Sequence, residues 1–258
     1  MSISAQVVTS FLNSRTDRPR WIPVPLELRP QTLDEGYRIQ RAAHEAIVQS
    51  GNPLVGYKVG STSKDGQRAF GLEEPVYAGM FADNRASDLA TALSAPLISP
   101  SLECEIAFRL KSGIDGSNPQ LSRQELADAV DTCHIACEVV DNRYGKPLEI
   151  GVPSLLADDF FHAFFVLGEE NPMWRDLELS NLAASIEIDG VVVHGNSANV
   201  LDALSSLHWL ARSLAKQGVS LNAGDIIMSG SIVTPTPISL PARSVSLSIS
   251  GFKPLRIV

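Results

Sequence analysis

From Leu54 onward the chain is a succession of short β-type runs, each broken by glycine or proline, and this pattern restricts its fold more than any other feature. Such runs fall at 54–59, 102–110, 134–140, 161–167, 182–188, 191–195, 225–229 and 245–249. Two helical patterns interrupt them. Ser122-Arg-Gln-Glu125 has the form of a capping box, in which a serine oxygen and a glutamate satisfy each other's free amides, and it opens a helix to about residue 131. The second runs over 199–217 with Leu201, Leu204, Leu207, Trp209, Leu210 and Leu214 along it, and Gly218 and Gly224 punctuate its exit. A regular βαβαβ chain would place a helix between successive strands. The class is therefore strand-rich α+β.

The first 52 residues differ in character. Val7, Val8, Phe11 and Leu12 are spaced for one face of a short helix over 4–13. A proline-interrupted stretch at 18–30 reads as an extended connector. Thr32-Leu-Asp-Glu35 is a second capping box, opening a helix to about residue 49 with apolar positions Leu33, Tyr37, Ala43 and Ile47. The expected organisation is a helical arm over 1–52 and a β-rich metal-binding catalytic body over 53–258, integrated as one domain. At 258 residues and 44% hydrophobic, the chain can bury a sizeable core.

A net charge of −8 opposes nucleic acid or an anionic membrane as partner. It does not oppose an anionic substrate, because a bound metal can invert the local field. Cys104, Cys133 and Cys137 are odd in number and too few for a disulfide framework, as in a reducing cytoplasm. The start lacks the basic region and apolar run of a signal peptide. No stretch approaches the ~20 apolar residues of a membrane span. The expectation is a cytoplasmic protein.

Within Ser101-Leu-Glu-Cys-Glu-Ile-Ala-Phe-Arg-Leu110, Glu103 and Glu105 alternate with apolar residues. In a strand, side chains at i and i+2 share a face, about 6.6 Å apart. Two like charges held together in a core are costly unless a cation sits between them. The same alternation also describes an amphipathic strand whose glutamates stand in water. Glu138 is a third acid in an apolar run, His134-Ile-Ala-Cys-Glu-Val-Val140. Three oxygen ligands suit Mg2+, Mn2+ or Ca2+, and no His or Cys pair has zinc spacing. Cys133 and Cys137 are four apart, but the run reads as extended, so they are not expected to share a face. Spacing alone does not bring Glu138 to the other two acids.

Gly56-Tyr-Lys-Val-Gly60 sets Lys58 in an apolar strand, where desolvation can lower an amine's pKa; an edge lysine that discourages aggregation reads the same way. Asp158 and Asp159 by themselves suit a helix or turn cap. His162 reads as a core or surface histidine, and His44, His134, His194 and His208 show no ligand spacing.

Several segments occur together and in order: Tyr37-Arg-Ile-Gln40, Gly56-Tyr-Lys-Val-Gly60 with Thr62-Ser63, Glu103-Cys-Glu-Ile-Ala-Phe108, Glu138-Val-Val-Asp-Asn-Arg143, Leu156-Ala-Asp158, His194-Gly-Asn196 and Ala223-Gly-Asp-Ile-Ile-Met-Ser-Gly230. In this the chain resembles the 2-keto-4-pentenoate hydratase and 4-oxalocrotonate decarboxylase group of the fumarylacetoacetate hydrolase superfamily, over about residues 30–230. The resemblance implies curled mixed β-sheets around a metal site, an N-terminal helical region, and Glu103, Glu105 and Glu138 holding Mg2+ or Mn2+. It further implies a small 2-oxo acid chelated through its C1 carboxylate and C2 oxygen, with Lys58 steadying charge near C2 and able to relay a proton. Asp158 is the nearest acid–base candidate, and Ser63 a polar contact. A homo-oligomer, and association with a sister catabolic enzyme, are also implied.

One segment departs from the group. Relatives commonly read Ala-Asp-Asn followed by small residues, whereas this chain has Ala157-Asp-Asp-Phe-Phe-His162. Asp159 replaces an amide donor by an acceptor, and Phe160 and Phe161 are bulky enough to reshape a substrate pocket. The leading expectation is a lyase that hydrates 2-hydroxypenta-2,4-dienoate in aromatic-compound catabolism. After it come a 4-oxalocrotonate-type decarboxylase, an acylpyruvate hydrolase and a non-enzymatic homologue. A basic residue at the distal end of the pocket would favour the decarboxylase.

Overall fold

The computed structural model describes residues 3–16 and 24–257; residues 18–23 of the expected connector lie outside them. Two β-sheets stack face to face. The larger is ordered β2-β1-β8-β3-β4-β5, with β9 added to β3. Its strands are β1 (Leu54–Gly60), β2 (Val76–Phe81), β3 (Pro100–Leu110), β4 (Val130–Asp141), β5 (His162–Glu170), β8 (Ile226–Met228) and β9 (Thr236–Pro237). All its neighbours run antiparallel except β1 and β8, so the sheet is mixed. The smaller sheet is antiparallel, ordered β11-β10-β6-β7, from β6 (Ala183–Ile188), β7 (Val191–Asn196), β10 (Val245–Ile249) and β11 (Leu255–Ile257).

Alternation along β3 and β4 explains the stacking. Leu102, Cys104, Ile106 and Phe108 on β3, and Cys133, Ile135, Cys137 and Val139 on β4, share one core with Ile186, Val245, Leu247 and Ile249 of the smaller sheet. The helix α8 (Ala203–Lys216), capped by Asp202, adds Leu207, Leu210 and Leu214 to it. Each such side chain contributes roughly 1.5–3 kcal/mol on burial. Cys133 and Cys137 therefore do share a face, contrary to the sequence reading, because an even separation in a strand returns to the same side. About 13 Å of strand still separates them.

The N-terminal helices are α1 (Ala5–Thr16) and α2 (Leu33–Gln49). Thr32 caps α2 as expected, by accepting from the Glu35 amide. Its buried face is Gly36, Ile39, Gln40, Ala43 and His44, whereas Leu33 is exposed. Of the apolar positions read from sequence, Ala43 lies on that face and Tyr37 packs against the core; two polar residues join them because they find partners: Gln40 donates to the Leu156 carbonyl at 2.8 Å, and His44 meets Asp159 at 2.7 Å.

The strand β2 lies outside the runs expected from sequence. All six of its residues are buried, so it has no polar alternation to betray it. Short helices were also missed: α3 (Lys64–Phe70), α4 (Leu89–Leu93), α6 (Pro147–Ile150) and α7 (Val152–Ala157), the first capped by Ser63 and ended by Gly71. The remaining helix, α5 (Arg123–Ala129), has the Ser122–Glu125 capping box. Among the described residues, no helix is long and apolar enough to cross a membrane.

Candidate metal and substrate site

The face of the larger sheet opposite the core carries the acids. Glu103 on β3 and Glu138 on β4 are direct cross-strand partners, and Glu105 follows two residues along, opposite Ala136. Residues opposed in an antiparallel pair share a face. The register thus brings together three carboxylates that lie up to 35 residues apart in the chain. One oxygen from each lies within 4.8 Å of the others. Lys58 reaches the same face through a second chain of pairings: Lys58 beside Met228, and Met228 beside Ala107.

Glu105 and Glu138 are fully buried, yet each leaves one oxygen without a protein partner. The other oxygen is committed. Glu105 Oε2 accepts from the Gly230 amide at 2.7 Å. Glu138 Oε1 accepts from His162 Nδ1 at 2.8 Å and pairs with Lys58 Nζ at 3.2 Å. Glu105 Oε1 and Glu138 Oε2 have no hydrogen-bond partner, and the half-buried Glu103 completes the cluster. An unsatisfied buried carboxylate oxygen is costly. An all-oxygen donor set of this kind fits a hard divalent ion with open positions for water or substrate.

The electrostatics report the same strain. Burial and the charge of Glu138 push the Glu103 carboxyl up to about 7. Burial, then Glu138 and Glu103, raise Glu105 well above the ordinary carboxylate range. Burial would also raise Glu138, but Lys58 and His162 outweigh it and hold it at about 2. Desolvation alone would lower the Lys58 amine; the three glutamates outweigh it, and the net direction is upward. Lys58 is thus a cation in this site, not the neutral amine that its apolar strand allowed.

Lys58 also donates to the Phe160 carbonyl at 2.9 Å. That carbonyl is delivered by an unusual turn. Asp159, Phe160 and Phe161 have φ of 57°, 45° and 69°, three consecutive left-handed residues of which none is glycine. Each costs roughly 1–2 kcal/mol relative to right-handed backbone. The turn is held by Phe160 N to Leu155 O at 2.7 Å, by Asp141 N to Phe161 O at 2.9 Å, and by His162 N to Asp159 O at 3.0 Å.

A cavity of about 320 Å³ reaches the acids at Glu103, and Lys58, Ser63, Phe70, Phe160 and Phe161 are also in its lining. Ser63 reaches it from the cap of α3, where its oxygen accepts from the Gly66 amide at 3.0 Å. Asp158 and Asp159, expected at the pocket, do not line it. Asp158 is buried behind the turn, with Arg15 Nε at 2.9 Å and with the Arg143 guanidinium and Tyr144 hydroxyl also bonded to it. Asp159 pairs with Arg15 at 2.6 Å and His44 at 2.7 Å and accepts from the Gly79 amide. Burial would raise its carboxyl, but Arg15 and His44 hold it well below the usual range.

Sequence reasoning passed over two groups that touch the acids. His162 reads as an ordinary core histidine, and only the β-bulge between Val139 and Val140 in the β4–β5 pairing turns it toward Glu138. The Gly230 amide carries no side-chain signal. Its φ of 99°, with Thr62 Cγ2 only 2.4 Å from where a Cβ would stand, explains why glycine occupies that position.

Residues 73–257 match the family described as fumarylacetoacetate (FAA) hydrolase C-terminal, and the chain belongs to that family. Within it, the similarity extends to the hydratase and decarboxylase group. A 2-keto-4-pentenoate hydratase of Burkholderia vietnamiensis is 31% identical over 198 residues, covering 76% of this chain and 74% of that protein. A 4-oxalocrotonate decarboxylase of a Pseudomonas species is 31% identical over 222 residues, covering 85% of this chain and 83% of that protein. The structure of a 4-oxalocrotonate decarboxylase from Pseudomonas putida, complexed with magnesium and adipate, superposes with a TM-score of 0.84 at 25% identity, covering 97% of this chain and 96% of that one.

Proposed function

We propose that this protein is a divalent-metal-dependent hydro-lyase that adds water to a small 2-hydroxydienoic acid, with 2-hydroxypenta-2,4-dienoate as the leading substrate. The two bare, buried oxygens of Glu105 and Glu138 beside Glu103 carry the metal part of this reading. Mg2+ is the ion proposed, with Mn2+ as its substitute, because hard oxygen donors with open positions suit both. The similarity to 2-keto-4-pentenoate hydratases supports the reaction.

Bound there, such an ion supplies Lewis acidity toward a 2-oxo acid's carboxylate and carbonyl oxygens. The protein's own groups do the rest. Glu103, Glu105 and Glu138 sum to −3 against a divalent +2, and Lys58 brings the site to neutrality before substrate enters. Lys58 spends two N–H groups on Glu138 and the Phe160 carbonyl and has a third for the substrate's anionic end. Among the described lining residues only Lys58 and Glu103 are ionisable side chains, so with Glu103 on the metal, proton relay falls to Lys58. Asp158 acts as an anchor for the turn, through Arg15 and Arg143. Ser63 and Phe160 contact substrate, and Asp159 holds the turn that presents Phe160.

A decarboxylase is the second reading, favoured by the close superposition on a 4-oxalocrotonate decarboxylase. The deciding experiment follows metal-stripped protein, with and without Mg2+ or Mn2+, on 2-hydroxypenta-2,4-dienoate, 4-oxalocrotonate and an acylpyruvate by ultraviolet absorbance and product analysis. Hydration of the dienoate that requires metal and is lost in Glu105→Gln is the expected result. Carbon dioxide release from 4-oxalocrotonate as the main metal-dependent activity would select the second reading. Absence of metal binding would remove both.

A further inference from the structure

We propose that Ser101 holds the water molecule that adds to the substrate, its hydroxyl accepting a hydrogen bond from that water beside C4. The assignment rests on the hydration reaction proposed above and gives the nucleophile of that reaction a place in the fold.

Adding water to a 2-hydroxydienoic acid needs groups that polarise C2 and a seat for the nucleophile near C4. The acids, with the ion they would hold, and Lys58 supply the first. The strand that carries two of those acids supplies the second. Ser101 lies two residues before Glu103 on β3, so their side chains share a face about 6.6 Å apart along the strand. Both residues are half-buried, and both line the cavity. C4 lies two bonds beyond C2, about 2.5 Å away for bonds of about 1.5 Å. A water about 2.8 Å from Ser101 Oγ bridges the remaining gap.

Ser101 combines a fixed register to the acids with an unspent hydroxyl, and the cavity's other polar groups lack one or the other. Among the described residues, no group bonds the Ser101 hydroxyl. Its cross-strand neighbours, Val140 and Pro237, bring only hydrocarbon to that rung. Ser63 already accepts from the Gly66 amide, and Ser231 accepts from the Cys104 amide and donates to the Val233 carbonyl. The Asn142 side chain accepts from the Tyr144 amide and donates to the Gly145 carbonyl. Ser99 is exposed and two residues further out, beyond reach of C4. Ser61 and Thr62 stand past the end of β1, outside the register of the acids. A hydroxyl suits the task because it accepts from one water and donates onward to another.

The step balances with groups already in place. A proton leaves the 2-hydroxyl of the dienoate and one is delivered to C5, giving the 2-oxo-3-enoate, in which C4 is electrophilic. The water oxygen then bonds to C4 while the C3–C4 π pair moves to the C2 oxygen. One water proton passes through the Ser101 hydroxyl to water at the cavity mouth. Lys58 protonates C3, the C2 carbonyl re-forms, and Lys58 recovers its proton from solvent. The product has gained a hydroxyl at C4 and a hydrogen at C3.

The test compares hydration of 2-hydroxypenta-2,4-dienoate with solvent-deuterium exchange at C3 of 2-oxopentanoate, both in the Mg2+-loaded full chain. The exchange needs C2 polarisation and a proton relay but adds no water. Calorimetry with 2-oxopentanoate reads binding alone. Ser101→Ala should lower the hydration rate roughly 100-fold, as for a misplaced reactant. Exchange and affinity should stay within about threefold of wild type. Ser101→Thr keeps a hydroxyl and should recover hydration to within about tenfold, whereas its isostere Ser101→Val should not. Ser99→Ala should change none of these readouts. Hydration unchanged in both Ser101→Ala and Ser101→Val overturns the assignment and leaves the hydratase reading standing. A parallel fall of hydration, exchange and affinity also overturns it, because a merely structural role would move all of them. Wild-type protein that binds and exchanges 2-oxopentanoate but hydrates no dienoate overturns both readings.

Discussion

Each of the two innermost carboxylates shows one oxygen to the protein and keeps the other bare. For Glu138 the committed oxygen takes His162 and Lys58 together, which leaves Oε2 without a protein partner. His162 Nε2 has no partner in the structure, so Nδ1 is the nitrogen that carries the proton and donates. Loss of such an orienting donor typically weakens a metal site by about 10–100-fold. His162→Ala should weaken Mn2+ binding by that factor in calorimetry. His162→Asn, whose amide nitrogen falls near the position of Nδ1, should recover most of it. Wild-type affinity in His162→Ala would show that Lys58 alone sets Glu138. The cavity acids were visible to strand alternation; His162 was not, because its orientation depends on a bulge that local pattern does not encode.

Two backbone elements position the site without contributing a side chain to the chemistry. At Gly230, φ of 99° and the close approach of Thr62 Cγ2 and Val59 O leave no room for a methyl group. Gly230→Ala should destabilise the protein by roughly 1–3 kcal/mol and displace the amide that binds Glu105. Melting temperature and Mn2+ affinity should therefore fall together; an unchanged affinity would mean that Glu105 does not need that amide. The left-handed turn is the second element, anchored from behind by Asp158. Breaking a buried pair of this kind costs roughly 3–5 kcal/mol. Asp158→Asn should lower the melting temperature, at about 2–4 °C per kcal/mol for a chain of this size. Its kcat/KM, measured well below that temperature, should stay within roughly tenfold of wild type, equivalent to under about 1.4 kcal/mol. A drop of several orders of magnitude in folded protein would return Asp158 to the reaction itself.

At the scale of the whole molecule, the acids link stability to pH and metal. In the metal-free state, Glu103 at about 7 lies above its unfolded value, and Glu105 moves the same way. A raised carboxyl binds more protons folded than unfolded, so its contribution is full below the unfolded value and is lost as pH rises through the folded one. Glu138, at about 2, and the lowered Asp159 act in the opposite sense, and their contributions fade as the medium is acidified. The melting temperature of chelator-treated protein should therefore fall between pH 5 and pH 8. Saturating Mg2+ requires the deprotonated acids, so the stabilisation it gives should grow over the same interval. An Mg2+-induced shift in melting temperature that is flat from pH 5 to pH 8 would contradict the coupling.

Helix ends and strand cores were readable because their causes are local. Thr32 and Ser122 cap the helices expected of them, and the 245–249 run is β10. Elements with no periodic contrast, such as the wholly buried β2, left no such trace. The acid pair Glu103 and Glu105 followed from a period of two, Glu138 and Lys58 stood out as charges within apolar runs, and the ordered family segments grouped Glu138 with the pair. What sequence could not supply was pairing. The register of β3 on β4 joins Glu138 to the other acids, and the parallel contact of β1 with β8 carries Lys58 to them. The left-handed turn sets Phe160 and Phe161 in the cavity and turns Asp158 and Asp159 away from it. Register, bulges and handedness are settled by the burial of whole faces and by long-range hydrogen bonds, and those exist only once the chain has closed on itself.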